Sequence, residues 1–437
     1  MRGLAGTLGA GVGPRRCLAA ALGLMLSLLL TGVADVEAAA ATKASRSAQA
    51  ALAGTLGSQL RHGGGRSGAY VVDLTTGQRL FSYQPDIGRL PASVEKLYTT
   101  STALLRFGSN TTLKTSVYGV GTLDGGTWNG VLYLKGGGDP TFGSAAFDNF
   151  AYGGGATIQR LVANLIRTTG ITSIRGRVLG DESYFDSLRG TPASGYRFST
   201  DVEGSLSALV YNRGLVNQGR SYVLHPALFA AQQFVSAMRS AGLKVQNNIP
   251  IAAGHTPAGA GLMAQVNSPR MGTLIKLTNT PSDNFFAETL LKDVGAKFGG
   301  GGTTAAGASA VRSLVASKFG IHPRLNDGSG LSRSDFTTPR QMVTLLSGMS
   351  TSPDFVSSLA VAGRTGTLQH EMNGTAAQDR CQGKTGTLRD VANLVGYCTA
   401  RNGHTLAFAF LMNSVGNTDA SHKLEAAMAV SLAKYNG

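Results

Sequence analysis

The stretch Pro-Ala-Ser-Val-Glu-Lys-Leu-Tyr (residues 91–98) connects a pair of predicted strands to a predicted helix that opens at Pro91. Positions three apart lie on one helical face, so Ser93 and Lys96 are expected to meet. A serine hydroxyl becomes a nucleophile when a neighbouring base takes its proton, and a lysine is such a base where burial or cations lower its pKa. An ordinary helix N-cap beside a solvated lysine is the alternative.

The two ends of the chain carry similar elements, and the middle differs from both. Strand-like runs bounded by turn residues and accompanied by helices occupy residues 69–74, 79–83, 391–399 and 405–412. Between about 112 and 270 the pattern changes to short strands and turns with amphipathic helices. We expect one domain built from residues 41–111 and 271–437, interrupted by an inserted mixed α/β domain at 112–270. The length of 437 residues allows this.

Residues 1–40 have the pattern of a secretory signal peptide. Arg2, Arg15 and Arg16 precede an apolar run over 18–30, and small residues follow at 38–41. This order of cationic, apolar and small residues predicts cleavage and export to the periplasm or the cell-wall space. An uncleaved membrane anchor is the alternative, because the apolar run approaches spanning length.

The formal charge of +15 first suggests a nucleic-acid partner. Removing residues 1–40 removes three arginines and two acids (Asp35 and Glu37), which leaves +15 − 3 + 2 = +14. The remaining charge forms no basic arm interleaved with stacking aromatics, so nucleic acid is not expected as a partner. We expect instead peripheral attraction to an anionic cell wall or membrane surface.

Cys381 and Cys398 remain after Cys17 leaves with the signal. If residues 389–390 form a two-residue hairpin turn, Leu388 faces Val391 and the two cysteines are directly opposed. Export favours oxidation, and opposed residues are near the separation that a disulfide needs. We predict a disulfide, with two reduced buried thiols as the alternative.

Three further segments carry side chains suited to catalysis. They are Ser282-Asp283-Asn284, Asp327-Gly328-Ser329-Gly330-Leu331-Ser332-Arg333 and Lys384-Thr385-Gly386-Thr387. In the last segment the lysine and threonine can fix a substrate carboxylate, and Gly386 would let a substrate backbone approach. Gly383-Lys384-Thr385 also resembles the end of a phosphate-binding loop, but Gln378 replaces that loop's first glycine. The near-copy Arg364-Thr365-Gly366-Thr367 lacks the lysine.

The order S-x-x-K, S-D-N, K-T-G resembles that of the penicillin-recognising serine enzymes. Three further features make the resemblance more specific: the 327–333 segment, the long gap between Ser93 and Ser282, and residues 135–141 (Lys-Gly-Gly-Gly-Asp-Pro-Thr). With these features the chain resembles the class C low-molecular-weight penicillin-binding proteins, the D-alanyl-D-alanine carboxypeptidase/endopeptidase family. The resemblance implies an α+β fold: a β-lactamase/transpeptidase-like α/β/α sandwich with an antiparallel sheet.

The resemblance also implies a role for each motif residue and requires no metal or other cofactor. Ser93 would attack the carbonyl between two D-alanines, and Lys96 would take its proton. Ser282 would relay a proton to the departing amine, and Asn284 would hold Lys96 and the substrate amide. The side chains of Lys384 and Thr385 would bind the substrate carboxylate. The backbone N–H groups of Ser93 and Thr387 would bind the oxyanion.

Substrate selection is implied for two more residues. Arg333 and a carboxylate of the inserted domain would grip the zwitterionic end of the stem peptide's diamino acid. Asp181 is the preferred match for that carboxylate, and Asp201 is the second choice. The implied partners are peptidoglycan stem peptides, with β-lactams as covalent inhibitors. A β-lactamase and a non-catalytic wall-binding homologue are the alternative functions.

Overall fold

One of the two six-stranded sheets is antiparallel throughout and combines strands from both ends of the chain. A computed structural model describes Lys43 and residues 45–437, so the predicted signal peptide lies outside the described residues. The strands are Arg66–Asp73 (β1), Arg79–Tyr83 (β2), Ala360–Val361 (β11), Cys381–Leu388 (β12), Val391–Thr399 (β13) and Thr405–Asn413 (β14). Their order is β11-β12-β13-β14-β1-β2.

Helices cover both faces of this sheet. One face carries residues 45–60 (α1) and Thr418–Ala433 (α11). The other carries Lys96–Phe107 (α2), Met271–Asn279 (α6), Asn284–Phe298 (α7), Thr304–Phe319 (α8), Pro339–Met349 (α9) and Pro353–Ser357 (α10). Successive side chains of a strand point to opposite faces of the sheet. Phe408 and Phe410 of β14 therefore pack in the core under α1 and α11, while Ala409 and Leu411 pack in the core on the other face. The predicted α/β/α sandwich is confirmed. None of the helices described is long and apolar enough to cross a membrane.

A second sheet, with a separate core, lies between α2 and α6 in the chain. It contains Lys114–Asp124 (β3), Thr127–Gly136 (β4), Ser173–Asp181 (β5), Lys244–Val245 (β8), Ile251–Ala253 (β9) and Gly261–Asn267 (β10). A small hairpin and three helices accompany it: Leu215–Val216 (β6), Ser221–Tyr222 (β7), Ala145–Tyr152 (α3), Ile158–Thr169 (α4) and Pro226–Ser240 (α5). The β4–β5 and β5–β8 pairs are parallel, and helices supply the crossovers that parallel pairs need. We therefore propose residues 112–270 as the inserted domain.

The hairpin formed by β12 and β13 has the register expected from its turn. Leu388 faces Val391, and Cys381 faces Cys398. A disulfide joins these two cysteines, which are buried beneath α11. The disulfide joins the two strands at the open end of the hairpin, away from the turn between Leu388 and Val391.

We expect removal of this disulfide to destabilise the chain by about 3 kcal/mol, because the link closes a short loop in the unfolded state. The sequence separation is 17 residues. Urea unfolding of the Cys381→Ala/Cys398→Ala variant should show a lower midpoint than wild type without reductant. Reductant should lower the wild-type midpoint and leave the variant unchanged; equal midpoints for the oxidised wild type and the variant would contradict the prediction.

Candidate active site

Ser93 lies in a tight turn that leads without a break into α2. Residues Ala92–Glu95 form a 3-10 turn, whereas the sequence predicted an α-helix from Pro91 onward. The carbonyl oxygen of Ala92 would be only 1.9 Å from a Cβ placed on Gly330, and Gly330 has φ +82°. Only glycine fits there, since a side chain would collide with backbone. The loop over residues 327–333 therefore packs directly against the turn that carries Ser93.

The Lys96 ammonium group has three hydrogen-bond acceptors. Its Nζ lies 2.8 Å from Ser93 Oγ, 2.6 Å from Asn284 Oδ1 and 2.8 Å from the Ser329 carbonyl oxygen. The side chain is fully buried. Burial lowers the pKa of Lys96 to about 8, although nearby carboxylates act in the opposite direction. When neutral, the amine can donate to the two carbonyl oxygens and accept the hydroxyl proton of Ser93.

Helix α7 contributes to this site through two residues one turn apart. Asn284 is its first residue and contacts Lys96 directly. Glu288, four positions later on the same face, accepts hydrogen bonds from the backbone N–H groups of Gly328 and Ser329, both at 2.9 Å. Glu288 thus holds the loop whose Ser329 carbonyl accepts from Lys96. The sequence analysis did not assign this role, although the i, i+4 spacing from Asn284 is visible in the sequence.

The start of α7 is fixed by an ion pair that sequence analysis missed. Asp283 is the N-cap, accepting from the Phe286 N–H, and Arg213 of the inserted segment donates to both its carboxylate oxygens at 2.5 and 3.1 Å. Asn284 Nδ2 donates to the Asp201 carbonyl oxygen at 2.8 Å. The inserted segment therefore positions Asn284 from two sides.

Ser282 and Lys384 form the second polar pair of the site. Ser282 has φ +69°, so this residue adopts the left-handed conformation just before the cap of α7. Lys384 Nζ donates to Ser282 Oγ at 2.7 Å and to the Thr385 carbonyl at 2.8 Å. Burial, reinforced by the positive charge of Lys96, lowers the pKa of Lys384 well below its usual value. A substrate carboxylate arriving here would stabilise the charged form of Lys384.

Gly386 has a packing role that the sequence analysis did not assign. A Cβ at this position would lie 2.7 Å from the Pro91 carbonyl oxygen and 3.1 Å from Val94 Cγ1. Glycine thus lets β12 pack against the Ser93 turn. That Gly386 also admits a substrate backbone stays a prediction.

The outer edge of β12 is accessible along the K-T-G-T segment. In the described chain, β11 pairs only with Gln382 and Gly383, so residues 384–388 have no strand partner on that side. Thr385 Oγ1 donates to Thr367 Oγ1 at 2.9 Å, which places the near-copy of the motif beside the motif itself. An extended peptide can add to such an edge through main-chain hydrogen bonds.

The two residues predicted to grip the diamino acid are not brought together. Arg333 is exposed and makes a two-point ion pair with Asp390 at the turn of the β12–β13 hairpin, with contacts of 2.7 and 3.1 Å. The Asp181 carboxylate is fully buried and accepts from the backbone N–H groups of Ser183 and Thr256. Asp181 is thus held as a turn carboxylate, with Lys135 Nζ 3.8 Å from its Oδ2, and its role in substrate binding stays a prediction.

A buried group of three carboxyls lies beneath the Ser93 turn. Side-chain oxygens of Glu95, Asp327 and Asp335 approach within 4.8 Å of one another, a spacing that would suit a metal ion. The Asp327 oxygens accept from the backbone N–H groups of residues 330 and 332. Burial, together with the neighbouring acids, raises the pKa of Glu95 well above its usual value. Protons shared among the carboxyls can thus balance their charge.

A serine hydroxyl in contact with a buried lysine, set between a helical layer and an antiparallel sheet, is the arrangement expected of a serine hydrolase of the penicillin-recognising type. Residues 49–217 and 194–435 match the model of the D-Ala-D-Ala carboxypeptidase 3 (S13) family. The chain belongs to this family.

Individual relatives agree with that assignment. A D-alanyl-D-alanine carboxypeptidase of Actinomadura is 29% identical over 86% of this chain and 82% of its own length. A carboxypeptidase of Mycobacterium tuberculosis is 30% identical over 88% and 84%. Penicillin-binding protein 4 of Haemophilus influenzae has a similar fold, with a TM-score of 0.71 and 19% identity over 87% of this chain and 99% of its own.

Proposed function

We propose that this chain is an exported serine D-Ala-D-Ala carboxypeptidase that acts on peptidoglycan stem peptides through an acyl-enzyme on Ser93. The single observation that carries the proposal is the 2.8 Å contact between Ser93 Oγ and the buried Lys96 Nζ. With its pKa lowered to about 8, Lys96 loses its proton close to neutral pH. A neutral amine at this distance is positioned to act as the general base.

Acylation begins when Ser93 Oγ attacks the carbonyl carbon of the penultimate D-alanine. The Oγ–C bond forms while the hydroxyl proton passes to Lys96 Nζ, and the carbonyl oxygen becomes an oxyanion. The backbone N–H groups of Ser93 and Thr387 would stabilise that charge, a contribution worth about 2.7–4 kcal/mol for a single donor in other enzymes.

The acyl-enzyme forms when the C–N bond to the terminal D-alanine breaks. Ser282 would donate its hydroxyl proton to the departing nitrogen, and Lys384, 2.7 Å away, would replace that proton. Lys96 then gives up the proton it took from Ser93, and Lys384 regains the one it lost, by exchange with solvent. Water attacks the ester carbon while Lys96 takes a proton from it, and Lys96 returns that proton to Ser93 Oγ as the ester bond breaks. This sequence requires proton transfers between neighbours whose contacts are 2.8 Å or shorter.

Substrate binding would combine a carboxylate site with the edge of β12. The terminal carboxylate would lie beside Lys384, Thr385 and Thr387, since these are the donors next to Ser282. Arg333 would exchange its ion pair with Asp390 for the carboxylate of the diamino acid. Exposure favours such an exchange, because a solvent-exposed ion pair contributes only about 0–1 kcal/mol.

The two alternative functions have less support. A β-lactamase needs a carboxylate that activates water for deacylation, but Glu288 is fully buried and accepts from two backbone N–H groups. A non-catalytic wall-binding homologue would not require Lys96 to be desolvated beside a serine.

Export and attraction to the cell wall complete the proposal. The predicted signal peptide at 1–40 and the mature charge of +14 support them, because an anionic wall attracts a basic protein. Physiological salt would weaken this attraction, since exposed charges are screened over about 8 Å.

Incubation of the purified chain with a stem pentapeptide ending in D-Ala-D-Ala should release one D-alanine per peptide. A cross-linked stem-peptide dimer, tested in parallel, measures endopeptidase activity. Prior treatment with benzylpenicillin should abolish both signals. If the untreated chain shows neither D-alanine release nor dimer cleavage, and takes up no covalent penicillin, the proposed function is wrong.

A further inference from the structure

A cavity of about 210 Å³ lies between β12 and the start of α11, next to the carboxylate-binding threonines. Thr385 and Thr387 contribute from β12, and His422 and Glu425 contribute from α11. The remaining lining is largely apolar and includes Leu368, Met372 and Leu394. None of the motif segments described above includes a residue of α11, so sequence analysis did not connect this helix with the site.

Three side chains form a continuous hydrogen-bonded chain along this cavity. Thr387 Oγ1 is 2.8 Å from His422 Nε2, and His422 Nδ1 is 2.8 Å from Glu425 Oε2. Glu425 is 1% exposed, and its Oε1 has no hydrogen-bond partner among the described residues. The histidine and the glutamate are one helical turn apart on α11, so both can turn toward β12. Glu425 thus fixes the ring orientation of His422.

Carboxylates dominate the surroundings of His422. Glu425 and Asp419 belong to α11, and Glu371 comes from the loop before β12. The neighbouring side chains of β12 and β13 at the cavity are Thr385, Thr387 and Leu394, which do not titrate in the physiological range. Burial alone would lower the pKa of His422, but the hydrogen bond and charge of Glu425 outweigh it and raise the pKa. Burial raises the pKa of Glu425 to about 7.

The protonation state of His422 decides what the Thr387 hydroxyl can do. An imidazolium donates from both nitrogens: Nδ1–H to Glu425 and Nε2–H to Thr387 Oγ1. The hydroxyl proton of Thr387 must then point elsewhere, and the substrate carboxylate is the acceptor available in the site. In the neutral form with the proton on Nδ1, Nε2 is an acceptor and can take the hydroxyl proton itself. The substrate then loses one donor.

We propose that His422, oriented by Glu425, is a positioning residue that directs the Thr387 hydroxyl toward the terminal carboxylate of the substrate. This inference rests on the proposed function, because it concerns recognition of a peptide that ends in a carboxylate. It adds a second function to α11, which otherwise packs on the sheet. His422 also brings positive charge near that carboxylate without contacting it.

The test compares two substrates, a D-Ala-D-Ala peptide and the same peptide with a C-terminal carboxamide. The ratio of their kcat/KM values cancels the titration of Lys96, because both substrates acylate Ser93. For wild type we expect a ratio that favours the carboxylate and falls as the pH rises through the raised pKa of His422. Lys384 adds a pH dependence of its own, which is present in wild type and in every variant. In His422→Phe the ratio should drop about 10- to 100-fold at pH 6, the effect expected from losing one charge-assisted hydrogen bond, and keep only the pH dependence that Lys384 sets.

Two further variants keep the test independent of folding. In His422→Gln the side-chain amide N–H can still donate to Thr387 but does not titrate, so the ratio should be largely restored and should keep only the pH dependence that Lys384 sets. In Glu425→Gln the ring loses its carboxylate, so the fall in the ratio should move to lower pH. Each variant is compared only if its thermal unfolding midpoint stays near that of wild type.

A pH dependence in His422→Gln equal to that of wild type would overturn the inference. Wild type that releases D-alanine while His422→Phe keeps the wild-type ratio and pH dependence would refute the role of His422 and leave the proposed function intact. Wild type that is inactive toward both peptides and takes up no penicillin would refute the proposed function instead. The two failures are therefore distinguishable.

Discussion

Replacing Ser93 by alanine is expected to abolish covalent labelling by fluorescent penicillin and to reduce D-alanine release on the order of 10⁶-fold, as when the nucleophile is removed from another serine hydrolase. The reason is that no other hydroxyl of the site has the same relation to Lys96, whose Nζ lies 2.8 Å from Ser93 Oγ. Gel fluorescence measures the label, and a coupled D-amino-acid oxidase assay measures the product.

The control for this variant is Ser317→Ala. Ser317 is exposed on α8, where its hydroxyl donates to the Leu314 carbonyl within the same helix. It should label and turn over like wild type. A label that persists on Ser93→Ala would mean that a different side chain is the nucleophile, and peptide mapping of the labelled chain would identify it.

Replacing Lys96 by methionine has the second largest expected effect, a loss of about 10²- to 10⁴-fold in kcat/KM through the missing general base. Methionine has a similar length and suits a buried position, but it cannot take the Ser93 proton. The acylation rate constant, followed by stopped-flow with a chromogenic β-lactam, measures this step directly.

The pH dependence distinguishes loss of the base from a general disturbance. The base is active when neutral, so wild-type kcat/KM should rise with pH and level off above the Lys96 pKa of about 8. Lys96→Met should lack that rise. Lys276→Met, at an exposed position of α6, is the matched control and should keep it. If Lys96→Met retains the same rise, another group is the base.

Methionine at this position also leaves buried acceptors without a donor. Asn284 Oδ1 and the Ser329 carbonyl oxygen both accept from Lys96. An unsatisfied buried polar group costs about 1–3 kcal/mol, so unfolding of the variant must be measured beside its kinetics. A folded but inactive Lys96→Met variant supports the catalytic role. If Lys96→Met does not fold, Lys96→Arg takes its place, because arginine keeps the charge and the hydrogen-bond donors but stays protonated and cannot act as the base.

Two buried lysines share this site, and their proximity has a functional consequence. The charge of Lys96 contributes to the lowered pKa of Lys384, and burial lowers both. Full protonation of the pair is therefore costly in the free enzyme. A bound carboxylate would favour a proton on Lys384, which leaves Lys96 as the group that gives up its proton. Substrate binding and base formation would thus support each other.

Contacts set by short-range chain geometry could be predicted from the sequence. The meeting of Ser93 and Lys96 follows from their three-residue spacing, and it survives the change from an α-helical turn to a 3-10 turn. The pairing of Cys381 with Cys398 follows from the two-residue turn, because strand register is fixed once the turn is fixed.

The surroundings of Asp181 could not be predicted from the sequence, for a physical reason. A strand-end aspartate followed by aromatics is visible in the sequence, but whether its carboxylate is solvated or buried depends on what packs over it. In the structure the backbone N–H groups of Ser183 and Thr256 donate hydrogen bonds to the Asp181 carboxylate. Arg333 similarly meets Asp390, which is 57 positions away in the chain.

The sequence by itself determined the order of the motifs, the family, the contact between Ser93 and Lys96, and the hairpin register. These depend on residue identity and on spacings of a few residues. Only the tertiary structure decided how Arg213 holds Asp283, how Glu288 holds the Ser329 loop, and why Gly386 must be glycine. It alone placed His422 beside Thr387. Such contacts join segments far apart in the chain, and their geometry is set by the packing of whole helices against the sheet, which no local pattern encodes.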